Sequence, residues 1–346
     1  MTHVVAAIKG VVGKRLMYLQ PKEAAQMRDL KTETWFRLSM MPYGEPICIQ
    51  NLEIGVESGG LRAVVNTFVN NVRNVSQIPT FPAAMFNAGK VAQLAETMAF
   101  VMETGSPFNS SPIPAFAPFN IVSLRDKILA GGEPPIETPV PLTASVSHQE
   151  LLTAYRMFGL RETLELLMSL HLVSAWTVFE AFIGDLWEAA LNCHPIGLAD
   201  LRGTNKKISI PPTRVQEFNF DLREKMGTLL RANFLFSGLD GAREAYQAAF
   251  NEQGIGVNNA VKDSSFDAVA ALRHVIVHRA GKCDDEYIKN SKGLPVPQLQ
   301  LGEQLNLDGE LLLDRITAAM NASVQLIRSV DGWIVGHSPP QEILPE

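Results

Sequence analysis

Three basic side chains packed into one short stretch, Arg273, His274 and His278, carry the chemistry this chain is best equipped to perform. An imidazole takes up and releases protons near neutral pH, and a guanidinium presents a fixed charge in a planar fork that matches phosphate oxygens. At about 100° per helical residue, His274 and His278 share one flank, a single turn apart. Arg273 falls inside the apolar arc of the same helix, close to Phe266 and Val277, where a charge is costly unless an anion meets it. His278 stands in the last turn, where the helix dipole favours an imidazolium. An Arg so placed beside a tunable His suits phosphate chemistry better than packing.

These residues need one helix to position them, and the sequence supplies it from Ser264 to Gly281. Asp263 or Ser264 serves as N-cap, and Phe266, Val269, Leu272, Ile276 and Ala280 recur at helical spacing. Gly281 stands where a left-handed C-cap is expected.

The order Arg273-His274-x-x-x-His278, followed by Arg279-Ala280-Gly281 and Asp284-Asp285-Glu286-Tyr287, resembles the Arg-x(4–6)-His signature of the HEPN superfamily. A second block upstream strengthens the likeness. Within Val173 to Leu191, Phe179-Glu180-Ala181-Phe182-Ile183 and Asp185-Leu186-Trp187 are similar to the Phe-Glu-x-Phe-Ile/Leu helix of HEPN ribonuclease branches. The resemblance covers the C-terminal half alone. It implies a helical bundle that forms a homodimer and brings two Arg/His sets into one RNA-cleaving cleft. It further implies a metal-independent endoribonuclease without a cofactor, with Arg273 and His278 catalytic and His274 assisting. Many such enzymes act in defence or toxin–antitoxin settings, so a neutralising protein partner is expected from the resemblance.

Other readings compete. A packed helix could pair its Arg internally and use its His only as a cap. A metal could sit on His274 and His278 with Cys283, Asp284 or a distant acid as third ligand, but no Glu occupies the protease position between the two His, and no metal is expected. The rival from another class is a non-catalytic HEPN-like dimer that binds RNA, a nucleotide or a protein partner. A further possibility places the function in the N-terminal half and leaves the bundle as a dimeriser. No phosphate loop, dinucleotide fingerprint, nucleophile elbow or paired-cysteine zinc site occurs.

With 46% hydrophobic and 19% charged residues, the 346-residue chain can build a core and has room for two domains. A net charge of −6 argues against a broad electrostatic nucleic-acid binder, yet leaves room for an enzyme that touches a few phosphates. Cys48, Cys193 and Cys283 show no paired spacing and read as free thiols of a reducing compartment. The opening stretch is broken by Lys9, Gly10, Gly13, Lys14 and Arg15, so neither a signal peptide nor a membrane span is read from it, and a cytoplasmic location is expected.

The expected fold is mainly α: a C-terminal HEPN-like bundle over 146–346, an N-terminal region over 1–104 that is mixed α/β or α, and a Pro-rich linker over 105–145. In the N-terminal region, Val4–Val12 and Ile47–Val56 suggest strands, and Pro21–Leu30, Gly60–Gln77 and Phe86–Thr104 suggest helices. The bundle is predicted to hold helices at Glu150–Phe158, Arg161–Asn192, Phe220–Ala232 and Leu239–Phe250, then the motif helix, a turn of helix over Asp284–Lys289 and a last helix after Asp308. Pro297–Leu301 and Gln304–Leu307 suggest a small extended pair. Glu180 shares a stripe with Trp176, Ile183 and Trp187, and is either a partly exposed acid or the counter-charge of Arg273. Arg202, Lys206, Lys207 and Arg214 form a run without an acid between Leu201 and Gln216. With Arg279 they are the candidate RNA-binding residues.

Overall fold

The structure, a computed structural model, describes residues 56–78, 161–202, 208–307 and 309–337. The chain divides into two units, Met1–Ile78 with Leu164–Glu346, and Pro79–Thr163. Nearly all described residues belong to the first. The expected strands at Val4–Val12, the helices over Pro21–Leu30, Phe86–Thr104 and Glu150–Phe158, and the linker over 105–145 lie outside the described residues.

The described chain is helical, with a single antiparallel bridge, Lys282 to Gln304, and no strand among the described residues. In order come α1 (Arg62–Ser76), α2 (Arg161–Cys193), α3 (Pro195–Leu198), α4 (Pro212–Gln216) and α5 (Met226–Arg231). These are followed by α6 (Leu239–Phe250), α7 (Ile255–Val261), α8 (Ser264–Arg279), α9 (Asp285–Ser291) and α10 (Gly309–His337). A mainly α fold is therefore what the periodicity predicted. Two details differ. The segment expected to run as one helix over Phe220–Ala232 is helical only at Met226–Arg231, because Phe220 and Glu224 take left-handed backbone angles. The extended pair expected between Pro297–Leu301 and Gln304–Leu307 does not form among the described residues; Gln304 bridges Lys282 instead.

The centre of the core is α2. By length and composition Glu165–Cys193 is apolar enough to cross a bilayer; in this fold one side of it packs into the bundle, while Leu166 and Leu170 stay exposed. Met168, Leu172, Phe179, Ile183, Leu186 and Trp187 are buried on it. The Trp187 indole donates to the Ala245 carbonyl at 2.9 Å, and the Tyr246 hydroxyl donates to the Ile183 carbonyl at 2.9 Å, so α2 and α6 are pinned by two buried polar links. Phe179 meets Phe266 of α8 edge-on at 6.4 Å, and Phe250 of α6 meets Trp333 of α10 at 5.3 Å. The charged residues near the C-terminal end of α2 also have partners. Asp185 and Glu188 accept from the Arg231 guanidinium at 2.6 and 2.7 Å, and Asn192 accepts from the Gly227 backbone N–H at 2.7 Å, capping α5. Gly227 is required there, since a Cβ would overlap the Glu188 carbonyl.

Helix α1 belongs to this same body, whereas the sequence division assigned it to an N-terminal region. Phe68 stacks at 4.1 Å on Phe182 and at 6.4 Å from Phe179. Buried Asp331 of α10 accepts the backbone N–H groups of Glu57 and Ser58, each at 2.9 Å. Periodicity shows that a helix has an apolar face but not which partner covers it. Asp331→Ala leaves two N–H groups without their acceptor, and should cost about 1.5–3 kcal/mol in a denaturant melt while deprotecting residues 57–61 in hydrogen exchange. Unchanged protection of that segment would refute the tether.

His171 of α2 is buried, and its Nδ1 has no hydrogen-bond partner among the described residues. Burial lowers its pKa to about 4. Because the folded value lies below the unfolded one, the unfolded chain takes up the proton first. Stability is unaffected above pH ~6.5, falls as pH drops below that, and levels off near pH 4. The accumulated loss is about 3 kcal/mol. His171→Phe should flatten the stability profile between those limits, as read from urea midpoints at several pH values. A wild-type profile already flat there contradicts a buried neutral imidazole.

Candidate functional site

The motif helix α8 begins where the sequence places it. The Asp263 carboxylate caps it by accepting from Ser265 N–H at 2.8 Å. Arg243 of α6 holds the first turn through both carboxylate oxygens of Asp267, at 2.9 and 2.7 Å. Phe266, Ala268, Val269, Ala271, Leu272 and Val275 are buried. Burial then stops. Val277, His278 and Arg279 are exposed, so the last turn projects from the bundle.

The left-handed reversal starts one residue earlier than predicted, at Ala280 (φ 51°), and continues through Gly281 (φ 84°). Gly281 accepts from Leu305 N–H at 2.7 Å, and a Cβ there would overlap the Gln304 side chain. Cys283 then pairs with the 302–303 backbone, donating to Glu303 and accepting from Gly302, both at 2.8 Å. This clamp turns the chain back beside α8 and delivers Asp284 and Glu286 to its flank. The buried Cys283 thiol is pushed up in pKa by that burial and is not a free nucleophile.

Arg273 lies at the edge of the buried face, partly exposed, with Nη1 3.2 Å from His278 Nε2. A guanidinium has only donors, so this contact places the His278 proton on Nδ1 and leaves Nε2 as the acceptor. Glu180, read either as a partly exposed acid or as a candidate counter-charge, is partly exposed on α2, and no ion pair joins it to Arg273 among the described residues. The physical reason is exposure: Arg273 lies at the edge of the buried face, so its guanidinium keeps access to water and needs no carboxylate.

His274 takes a different set of neighbours. Its Nε2 is shielded from solvent, 3.6 Å from Asp284 Oδ2 and 3.4 Å from Glu286 Oε2, without a hydrogen bond to either. Its ring centre is 4.9 Å from that of His278. The Asp284 carboxyl is held below its ordinary range, first by the Tyr287 backbone N–H that it caps and then by the Arg279 guanidinium at 2.7 Å. Arg279 is thereby ion-paired, although exposed. The acids of the 284–286 run read in sequence as part of a motif; their convergence on His274 depends on the clamp and is not visible in spacing.

Of the other candidate RNA contacts, Lys206 and Lys207 lie outside the described residues. Arg202 pairs with Asp200, and Arg214 with Glu217 at 3.0 Å, both on the surface. The acids sit just beyond the two ends of the acid-free run, so these arginines carry less unopposed charge than the run suggested.

No protein-family model, curated protein or solved structure matches this chain.

Proposed function

We propose that the chain is a metal-independent endoribonuclease of the HEPN kind, with Arg273 and His278 at its centre. The observation that carries this reading is the 3.2 Å contact between Arg273 Nη1 and His278 Nε2 on an exposed helix end. A cation and a base share one place there, with no ion pair from Glu180 to neutralise the Arg among the described residues. A phosphodiester entering this place takes over the guanidinium and frees the His278 lone pair for a proton.

The bonds then change as follows. The ribose 2′-OH gives its proton to His278 Nε2 as its oxygen bonds to phosphorus, and the bond from phosphorus to the 5′-oxygen breaks. Arg273 offsets the charge that grows on the non-bridging oxygens. The departing 5′-oxygen takes a proton from a second imidazole. In the proposed homodimer that group is His278 of the partner subunit, and the projecting last turn of α8, with Val277 45% exposed, leaves room for a second copy. His274 flanks this centre and orients it.

The direct experiment incubates the purified protein with RNA in a chelator and compares it with Arg273→Ala and His278→Ala. Products ending in 2′,3′-cyclic phosphate, with DNA left uncut, support the reading. Activity abolished by the chelator overturns the metal-free mechanism. RNA binding without cleavage by the wild type favours the non-catalytic module instead. A chain starting near residue 145 that cleaves RNA separates this reading from one in which the N-terminal half is the working part.

A further inference from the structure

The cluster beside the Arg/His pair has a chemistry of its own. His274 Nε2, Asp284 Oδ2 and Glu286 Oε2 all lie within 4.8 Å of one another, and each offers one ligand atom. Donors about 2.0–2.2 Å from a four-coordinate zinc stand roughly 3.3–3.6 Å apart. The distances from His274 Nε2 to the two carboxylate oxygens, 3.6 and 3.4 Å, are those of ligands around one ion. They are also unproductive as hydrogen bonds, which leaves a solvent-shielded imidazole nitrogen facing two carboxylates with no hydrogen-bond partner among the described residues. A buried polar atom left in that state is costly, and a cation between the three groups removes the cost.

We propose that His274, Asp284 and Glu286 form a binding site for a zinc-type divalent transition-metal ion. One imidazole and two carboxylates make a neutral complex and leave a fourth position to water, the pattern of an open three-ligand site. Two of the three donors are placed before the metal arrives. His274 is set by α8. Asp284 is fixed by capping α9 and by Arg279, and a ligating carboxylate commonly accepts such an orienting bond. Glu286 is 58% exposed and completes the set with its Oε2 3.4 Å from His274 Nε2. The site is separate from His278, whose Nε2 is turned to Arg273. The proposal therefore does not rest on the ribonuclease reading.

The test uses the full chain without RNA. Zn²⁺ is titrated calorimetrically, and Co²⁺ is titrated by visible absorption, where four-coordination gives an intense band. The expected result is one ion per chain at micromolar affinity, weakened at least ~10-fold by Glu286→Gln and by His274→Ala. Asp284→Asn preserves an N-cap side chain while removing the carboxylate, so a variant that melts like the wild type and binds at least ~10-fold more weakly separates ligand loss from misfolding. No binding by the wild type at sub-millimolar metal overturns the proposal. So does binding that all three variants retain, which moves the ion elsewhere. A ribonuclease assay that fails while the Co²⁺ band appears sinks only the proposed enzyme activity.

Discussion

Alanine at position 278 is expected to lower the rate of RNA cleavage by about 10²–10⁴-fold, the range for loss of a general acid–base group. Arg273→Ala should lower it by about 10²–10³-fold, since it removes the donor aimed at the developing phosphorane charge. His278 is exposed in the last turn of α8 and Arg273 is partly exposed at the edge of its buried face, so neither change should disturb folding by more than about 0.5 kcal/mol. The effects should appear in single-turnover rates at saturating RNA more than in RNA affinity. Mixing the two variants is the more searching experiment. If one cleft uses the base of one copy and the acid of the other, a heterodimer of Arg273→Ala and His278→Ala chains regains part of the activity that each homodimer lacks. A strict monomer at micromolar concentration that still cleaves RNA rules out the shared cleft and makes His274 the second proton-transfer group. Wild-type rates from both single variants rule out the site itself.

The largest expected effect on stability is at Trp187. Its side chain is fully buried, packs at 5.3 Å against Phe234 and 5.4 Å against Phe236, and ties α2 to the Ala245 carbonyl. Trp187→Ala removes those contacts and the indole hydrogen bond, and opens a cavity between α2 and α6. We expect a loss of about 3–5 kcal/mol in a denaturant melt. Trp187→Phe keeps most of the volume and gives up the N–H donor, so its cost should be about 1–3 kcal/mol. The difference between the two variants measures packing apart from the hydrogen bond. Near-equal losses would mean that the indole donor, and not the ring volume, is what α6 requires. Because the same helix carries Phe179 against Phe266 of the motif helix, the Ala variant should also raise the amide exchange rate of α8.

Much of the fold was legible in the residues themselves. The helices at Arg62–Ser76, Arg161–Cys193, Leu239–Phe250 and Ser264–Arg279 follow from apolar spacing and from a capping Asp263, because these signals are local and act within one or two turns. The shared turn of His274 and His278 was legible for the same reason, since four residues along a helix bring two side chains to one flank. The contact of Arg273 with His278 was not, because five residues place them about 140° apart and the long guanidinium side chain must reach round to meet the ring. What the spacing could not decide was anything that depends on which surface meets which. Glu180 and Arg273 looked like partners on apolar stripes, but burial of α8 ends at Val275 and the guanidinium turns to His278. Asp185 and Glu188 meet Arg231, which lies more than forty positions away and which no local spacing links to them. Helix α1 looked like part of a separate region until Phe68 and the Asp331 tether joined it to the bundle. The approach of Asp284 and Glu286 to His274 required a left-handed turn at Ala280 and Gly281 and a backbone clamp from 302–305. Local patterning determines which helices form and which side chains share a turn. Long-range packing decides which charges stay in water, because desolvation depends on the whole set of neighbours and not on the helix that carries the charge.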